Sequence, residues 1–127
     1  MSQAPLKLRA LRGATTACAN TAAAMSEAVD ELLDALIDDN ELEGSQVLSA
    51  TFSVTADLNA IFPASVARRR PGWDGVALLD CQQMQVEGDL PRCIRVMVQA
   101  WMPESQPIHQ PYLRAAARLR PDRSGHN

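Results

Sequence analysis

The side chains with the most chemical reach in this sequence are its arginines. Arg12 is followed at once by Gly13, Arg95 stands inside the apolar run Cys93-Ile94-Arg95-Val96-Met97-Val98, and Arg120 precedes Pro121. A guanidinium presents a planar fork of donors that matches a carboxylate or a phosphate. One arginine alternating with apolar residues most simply faces solvent. Several on one sheet, together with Tyr112, could instead converge on a polyanionic ligand, and the residues alone leave both readings open. The other reactive types offer less. His109 lies in a proline-flanked loop and His126 near the end of the sequence, neither with a Ser, Cys or metal-ligand partner at a recognisable spacing. Cys18, Cys81 and Cys93 form no Cys-x-x-Cys pair and are odd in number, which argues against a disulfide scaffold and a structural zinc site. There is no phosphate loop and no dinucleotide fingerprint. Nucleophilic, metal and hydride chemistry have no sequence support, so neither a cofactor nor a metal is expected.

Those arginines need elements to carry them. Leu6 to Arg12 reads as a short strand ended by Gly13. Asn20 or Thr21 can cap a helix running to about Asp39, with Met25, Val29, Leu32, Leu33, Leu36 and Ile37 on one stripe. Val47 to Val54 alternates, with Leu48, Ala50, Phe52 and Val54 pointing one way and Ser49, Thr51 and Ser53 the other. Thr55-Ala56-Asp57 offers a cap for a helical turn through Ile61. Pro63 opens another toward Arg70, which Pro71-Gly72 breaks. Val76 to Leu79 suits a central strand, Gly88-Asp89 a turn, and Ile94 to Val98 a strand. Pro103 to Pro111 reads as a loop, and Tyr112 to Leu119 as a last strand with Leu113, Ala115 and Ala117 on one side. The sum is an α+β domain: a mixed β-sheet of about five strands, one long helix and short helical turns, the sheet covered on one face.

The bulk properties bound the function. Residues 1–127 make one domain, with 1–5 and 123–127 as loose tails. A domain this small has little room for a deep private pocket, which favours a cleft between subunits. Net charge is −3, and eight of the fifteen acids lie between Glu27 and Glu43, most simply a solvated helix face. A negative chain without an aromatic platform is a poor nucleic-acid binder. No apolar run approaches the ~20 residues of a membrane span. The N-terminus lacks the apolar core of a signal peptide, so the expected location is the cytoplasm.

Several segments together resemble one family. Leu11-Arg12-Gly13-Ala14-Thr15-Thr16 and Asp57-Leu58-Asn59-Ala60-Ile61-Phe62-Pro63-Ala64 are similar to motifs of the small monofunctional chorismate mutases. Gly72-Trp73, Cys93-Ile94-Arg95-Val96-Met97, Tyr112-Leu113 and Leu119-Arg120-Pro121-Asp122 follow in that family's order. The resemblance covers roughly Leu8 to Asp122. It implies a pseudo-α/β-barrel homotrimer with sheets at the centre, and an active site in each cleft between subunits. It implies a cofactor-free Claisen rearrangement of chorismate to prephenate in aromatic amino acid biosynthesis. That reaction is unimolecular and moves no proton. The enzyme must hold a dianion in its reactive conformer and place positive charge where the ether oxygen becomes negative. By match to the motifs, Arg95 faces the ether oxygen and one carboxylate, and Arg12 and Tyr112 hold the enolpyruvyl carboxylate. Phe62, Ala64 and Arg68 come from the neighbouring subunit, and Arg68 and Arg120 attract the ring carboxylate. Ser65, Leu78, Leu79, Gln83 and Leu119 complete the substrate-binding set.

Two departures from the family's pattern stand out. Ser65 occupies a position that is commonly Lys. Asp80 stands where a small or thiol residue is usual, and Gln83 where the family has a Glu that accepts a hydrogen bond from the ring hydroxyl. A relocated charge is the expectation, with Asp80 catalytic in place of that Glu. The alternative is that Asp80 only pairs with Arg95. Two rival functions remain at this point: an imine or enamine hydrolase of similar trimeric fold, and a non-catalytic trimeric binder of chorismate-like dianions.

Overall fold

A helix forms where Thr21 gives the chain a start. In the computed structural model, which describes residues 5–120, the Thr21 hydroxyl accepts a hydrogen bond from Ala24 N–H at 3.0 Å. Helix α1 follows over Ala22–Asp39 and buries Met25, Ala28, Val29, Leu32, Leu33 and Leu36. The sheet beneath it comprises β1 (Leu6–Thr16), β2 (Val47–Val54), β3 (Ala77–Gln82) and β4 (Cys93–Pro103), in the order β1-β4-β2-β3. A short helix α2 spans Pro63–Arg68, and 3-10 turns lie at Gly44–Gln46 and Arg114–Leu119. Strand β4 is antiparallel to β1 and β2, while β3 runs parallel to β2.

Strand parity sorts the side chains. Leu11 on β1, Ile94, Val96 and Val98 on β4, and Ala50 and Phe52 on β2 are buried in the core under the helices. The alternate residues face the other way. Arg12 lies opposite Met97 and Ala14 opposite Arg95, while Ser53 pairs Arg95 from the β2 side. Among the described residues no α-helix covers this second face, and it leaves Leu79 59%, Met97 46% and Trp101 44% exposed.

Several expectations are corrected. Among the described residues the sheet has four strands, not about five. Tyr112–Leu119 makes one isolated parallel bridge, Ala14 to Tyr112, and then coils into the 3-10 turn. Arg114 sits at φ 52°, a left-handed conformation that ends extended structure. Ala116, not Leu113, Ala115 or Ala117, is the residue this turn buries. Strand β1 does not stop at Gly13 but runs through to Thr16. The glycine is there for close approach: a Cβ would stand 3.0 Å from Pro111 O and 3.1 Å from Leu32 Cδ1. Strand β3 is an edge strand rather than a central one. Leu48 is exposed because a bulge between Val47 and Ser49 interrupts the alternation. Residues 55–61 form turns without a helix. The Asp57 carboxylate there accepts the Arg92 N–H at 2.9 Å, stapling the turn to the start of β4.

One buried polar residue fixes the far end of α1. Asn40 is fully buried; its amide donates to Leu36 O and His109 O and accepts from His109 N–H, each at 2.8 Å. The loop before Tyr112 is thereby tied to the helix. The expected tails lie outside the described residues apart from Pro5, as do Pro121, Asp122 and His126. No helix among the described residues is long and apolar enough to cross a membrane.

Candidate active site

Strand β4 puts Arg95 on the uncovered face, between Ala14 of β1 and Ser53 of β2. Its side chain is only 28% exposed. Nη1 is buried and has no hydrogen-bond partner among the described residues, while Nη2 lies 3.6 Å from Asp89 Oδ1. A buried donor left unpaired costs about 1–3 kcal/mol, a cost that a ligand supplying an acceptor would offset.

The neighbours of Arg95 form one wall. Ala14 N–H donates to Pro111 O at 3.0 Å, and Leu113 N–H donates to Ala14 O at 2.8 Å. These bonds hold Tyr112 beside β1, where Ala14, Tyr112 and Ala116 make a small buried cluster with Leu90 and Leu119 against it. The Arg120 guanidinium stacks over the Tyr112 ring, 5.8 Å from its centroid. Arg12 is exposed and, opposite Met97, is a diagonal neighbour of Arg95 on the same face. Gln83 belongs here too. Its Oε1 accepts from the hydroxyl of Ser53, the cross-strand partner of Arg95, at 2.9 Å.

A second group lies elsewhere in the chain. Phe62 is 71% exposed at the mouth of a cavity of about 690 Å³ that Ile61, Pro63, Asp80, Cys81 and Gln82 also line. Ala64 is buried on α2 and Arg68 is exposed on the same helix. Leu78 packs against the core and Leu79 points outward. The Ser65 hydroxyl turns back to donate to Phe62 O at 2.6 Å. Asp80 lies on the core side, opposite Phe52, and its Oδ1 accepts from Ala64 N–H at 2.9 Å at the start of α2. Burial pushes its carboxyl up, opposed by the Ala64 hydrogen bond and by the charge of Arg68.

The expected site residues therefore divide. Arg12, Gln83, Arg95, Tyr112, Leu119 and Arg120 gather on the uncovered face, whereas Phe62, Ala64, Ser65, Arg68, Leu78 and Asp80 gather around α2. Within one chain Asp80 does not meet Arg95: the two side chains leave opposite faces of the sheet, and the Arg95 ion-pair partner is Asp89.

The model of the family described as chorismate mutase type I matches residues 8–123 of this sequence. The chain belongs to that family. The chorismate mutase AroH of Bacillus subtilis (strain 168) is 38% identical over 121 residues, 94% of either chain. That of Thermus thermophilus is 39% identical over 118 residues, covering 91% of this chain and 95% of the other. A solved chorismate mutase from Clostridium thermocellum superimposes with a TM-score of 0.80 at 37% identity, over 87% of this chain and 98% of that one. An isomerase activity follows from the membership.

Family motifs led to Arg95 and Tyr112, yet two residues beside them carry no motif. Asp89 reads in the sequence as a turn residue after Gly88; the turn aims it at Arg95. Arg114 donates from Nε to Glu31 Oε1 at 3.0 Å and from Nη1 to Thr16 O at 3.1 Å, and its Nη2 lies 3.4 Å from Glu27 Oε1. It pins the segment carrying Leu119 and Arg120 to α1. The acids at Glu27 and Glu31, spaced one helical turn apart, were the available signal.

Proposed function

We propose that the chain rearranges chorismate to prephenate in a cleft between neighbouring subunits of a homotrimer, in the cytoplasm, as a step of phenylalanine and tyrosine biosynthesis. One observation carries this reading: the buried Nη1 of Arg95 has no hydrogen-bond partner among the described residues. The rearrangement breaks an ether bond whose oxygen gathers negative charge, and a fixed donor aimed at that oxygen is worth roughly 10²–10³ in rate. Arg12, Tyr112 and Arg120 bind the carboxylates of the dianion and hold its compact conformer.

The division of site residues supports the intersubunit cleft. Phe62, Ala64 and Arg68 face away from the Arg95 of their own chain, so they serve the Arg95 of another. The exposed apolar residues Leu79, Met97 and Trp101 on the uncovered sheet face give the subunits a seam. Asp80 then approaches substrate from the Phe62 wall, with its carboxylate already engaged by α2.

The test is to mix the purified chain with chorismate and identify the product by NMR, with sedimentation to give the assembly mass. Prephenate above the uncatalysed rate from a trimer is expected. A folded chain that binds chorismate without turnover would select the non-catalytic reading, and a monomer that turns over would sink the shared cleft.

A further inference from the structure

We infer that Asp89 is the positioning residue of Arg95 and the counter-charge of the cleft. The inference rests on Arg95 being the residue that meets the breaking ether bond. The separation of 3.6 Å between Arg95 Nη2 and Asp89 Oδ1 exceeds the roughly 2.7–2.9 Å of a charge-assisted hydrogen bond. Asp89 therefore draws the guanidinium toward it without closing a hydrogen bond on it. With Nη2 held on the Asp89 side, the buried Nη1 remains free for the ligand.

Asp89 is itself fixed. Its Oδ1 accepts from Leu90 N–H at 2.7 Å, just after Gly88 at φ 84°. Leu90 packs against the cluster of Ala14, Tyr112 and Ala116. The turn that aims Asp89 is thus anchored to the same cluster that places Tyr112, so Arg95 and Tyr112 are set by one support. Other nearby groups do not fill this role. Gln83 and Asp89 both line a cavity of about 480 Å³, but Gln83 is neutral and its Oε1 is taken by Ser53. Asp57 and Glu87 line it too. Asp57 is bound to the Arg92 backbone, and neither acid is an ion-pair partner of Arg95. Asp80 is engaged by Ala64 on the opposite face.

A carboxylate beside a dianion site has two opposed effects. It repels the bound substrate, which weakens ground-state binding. It also holds the arginine in the orientation the transition state needs, which raises turnover. Removing the charge should therefore separate the kinetic constants. Asp89→Asn suits the purpose, because the amide oxygen keeps the hydrogen bond from Leu90 N–H and only the charge is lost.

The experiment measures chorismate turnover and thermal melting for the wild type, Asp89→Asn and Asp89→Glu. The expected result is a kcat lowered about tenfold or more in Asp89→Asn, with KM unchanged or lower and melting unchanged. Asp89→Glu, which restores the charge, should lie closer to wild type. A kcat within about twofold of wild type in Asp89→Asn, or a loss of kcat accompanied by a raised KM, overturns the inference. A wild type that makes no prephenate overturns the functional reading, and this inference with it; that outcome is read before any variant.

Discussion

The two walls that carry the expected site residues treat their charged groups in opposite ways. Around α2, Asp80 has its hydrogen bond from Ala64 N–H, and the Ser65 hydroxyl is spent on Phe62 O. On the uncovered sheet face, Arg95 keeps a buried donor with no acceptor among the described residues. A satisfied polar group contributes to stability within its own chain; an unsatisfied one contributes only when something else arrives. The Arg95 wall therefore keeps a donor open to a ligand, whereas the polar groups of the α2 wall are engaged within the chain.

The largest effect that would break this contrast is at Arg95. Arg95→Gln should lower kcat/KM by at least about 10³, since both the charge and the fork are lost. The same variant should lower the melting temperature only slightly, because Nη1 has no partner among the described residues and the Nη2 contact with Asp89 is a long 3.6 Å. Steady-state kinetics beside calorimetry checks both halves. A variant that loses stability and keeps activity would reverse the roles of the two walls.

Next in size is the foundation of the Arg95 wall. Asn40 serves Leu36 O and both backbone groups of His109 from a fully buried position. Asn40→Ala removes these three hydrogen bonds and should destabilise the chain by about 3 kcal/mol. Urea unfolding reads that loss. A change below about 1 kcal/mol would mean that the loop before Tyr112 is held by something else.

A smaller effect is expected at Arg114. Its acidic partners are largely solvated, Glu27 at 70% and Glu31 at 49% exposed, so the ion pairs contribute little stability. Asn tolerates the φ of 52° better than Arg does. Arg114→Asn should therefore shift stability by less than about 1 kcal/mol, while KM rises as Arg120 loses its anchorage. An unchanged KM would show that the Arg114 clip does not reach the site.

Much of this was legible in the residues, unevenly. The stripe from Met25 to Leu36 and the Thr21 cap specify α1 locally, because a helix satisfies its own backbone. The motifs around Arg12, Arg95 and Tyr112 mark that wall. The segment from Tyr112 to Leu119 misled because its alanines fit a period of two as readily as a turn, and only the backbone at Arg114 decides. The face Asp80 takes was not legible for a different reason. Which face a strand residue takes depends on register with its neighbour, and a shift of one residue exchanges the faces. Pairing of Asp80 with Phe52 sends it to the helix side, a fact that no local pattern carries. Asp89 was out of reach because its contact with Arg95 is made by a turn, not by spacing along a strand.

The smallest prediction tests the α2 wall by its protonation. Burial is the largest influence on the Asp80 carboxyl and raises its pKa above the ordinary 3.8, against the Ala64 hydrogen bond and Arg68. A raised native pKa means that the folded chain binds this proton more tightly than the unfolded chain does. The contribution of Asp80 to stability is then most favourable below the unfolded value, and falls as pH rises through the raised one. At neutral pH the ionised carboxylate is a slight burden on the fold. Asp80→Asn keeps an acceptor for Ala64 N–H and removes the titration, so it should melt at or above the wild-type temperature at pH 7. That advantage should vanish in acid below the ordinary carboxylate range. Melting curves across this pH range decide the matter. A variant that is less stable at pH 7 would mean that Arg68 and the helix start favour the charge more than burial penalises it.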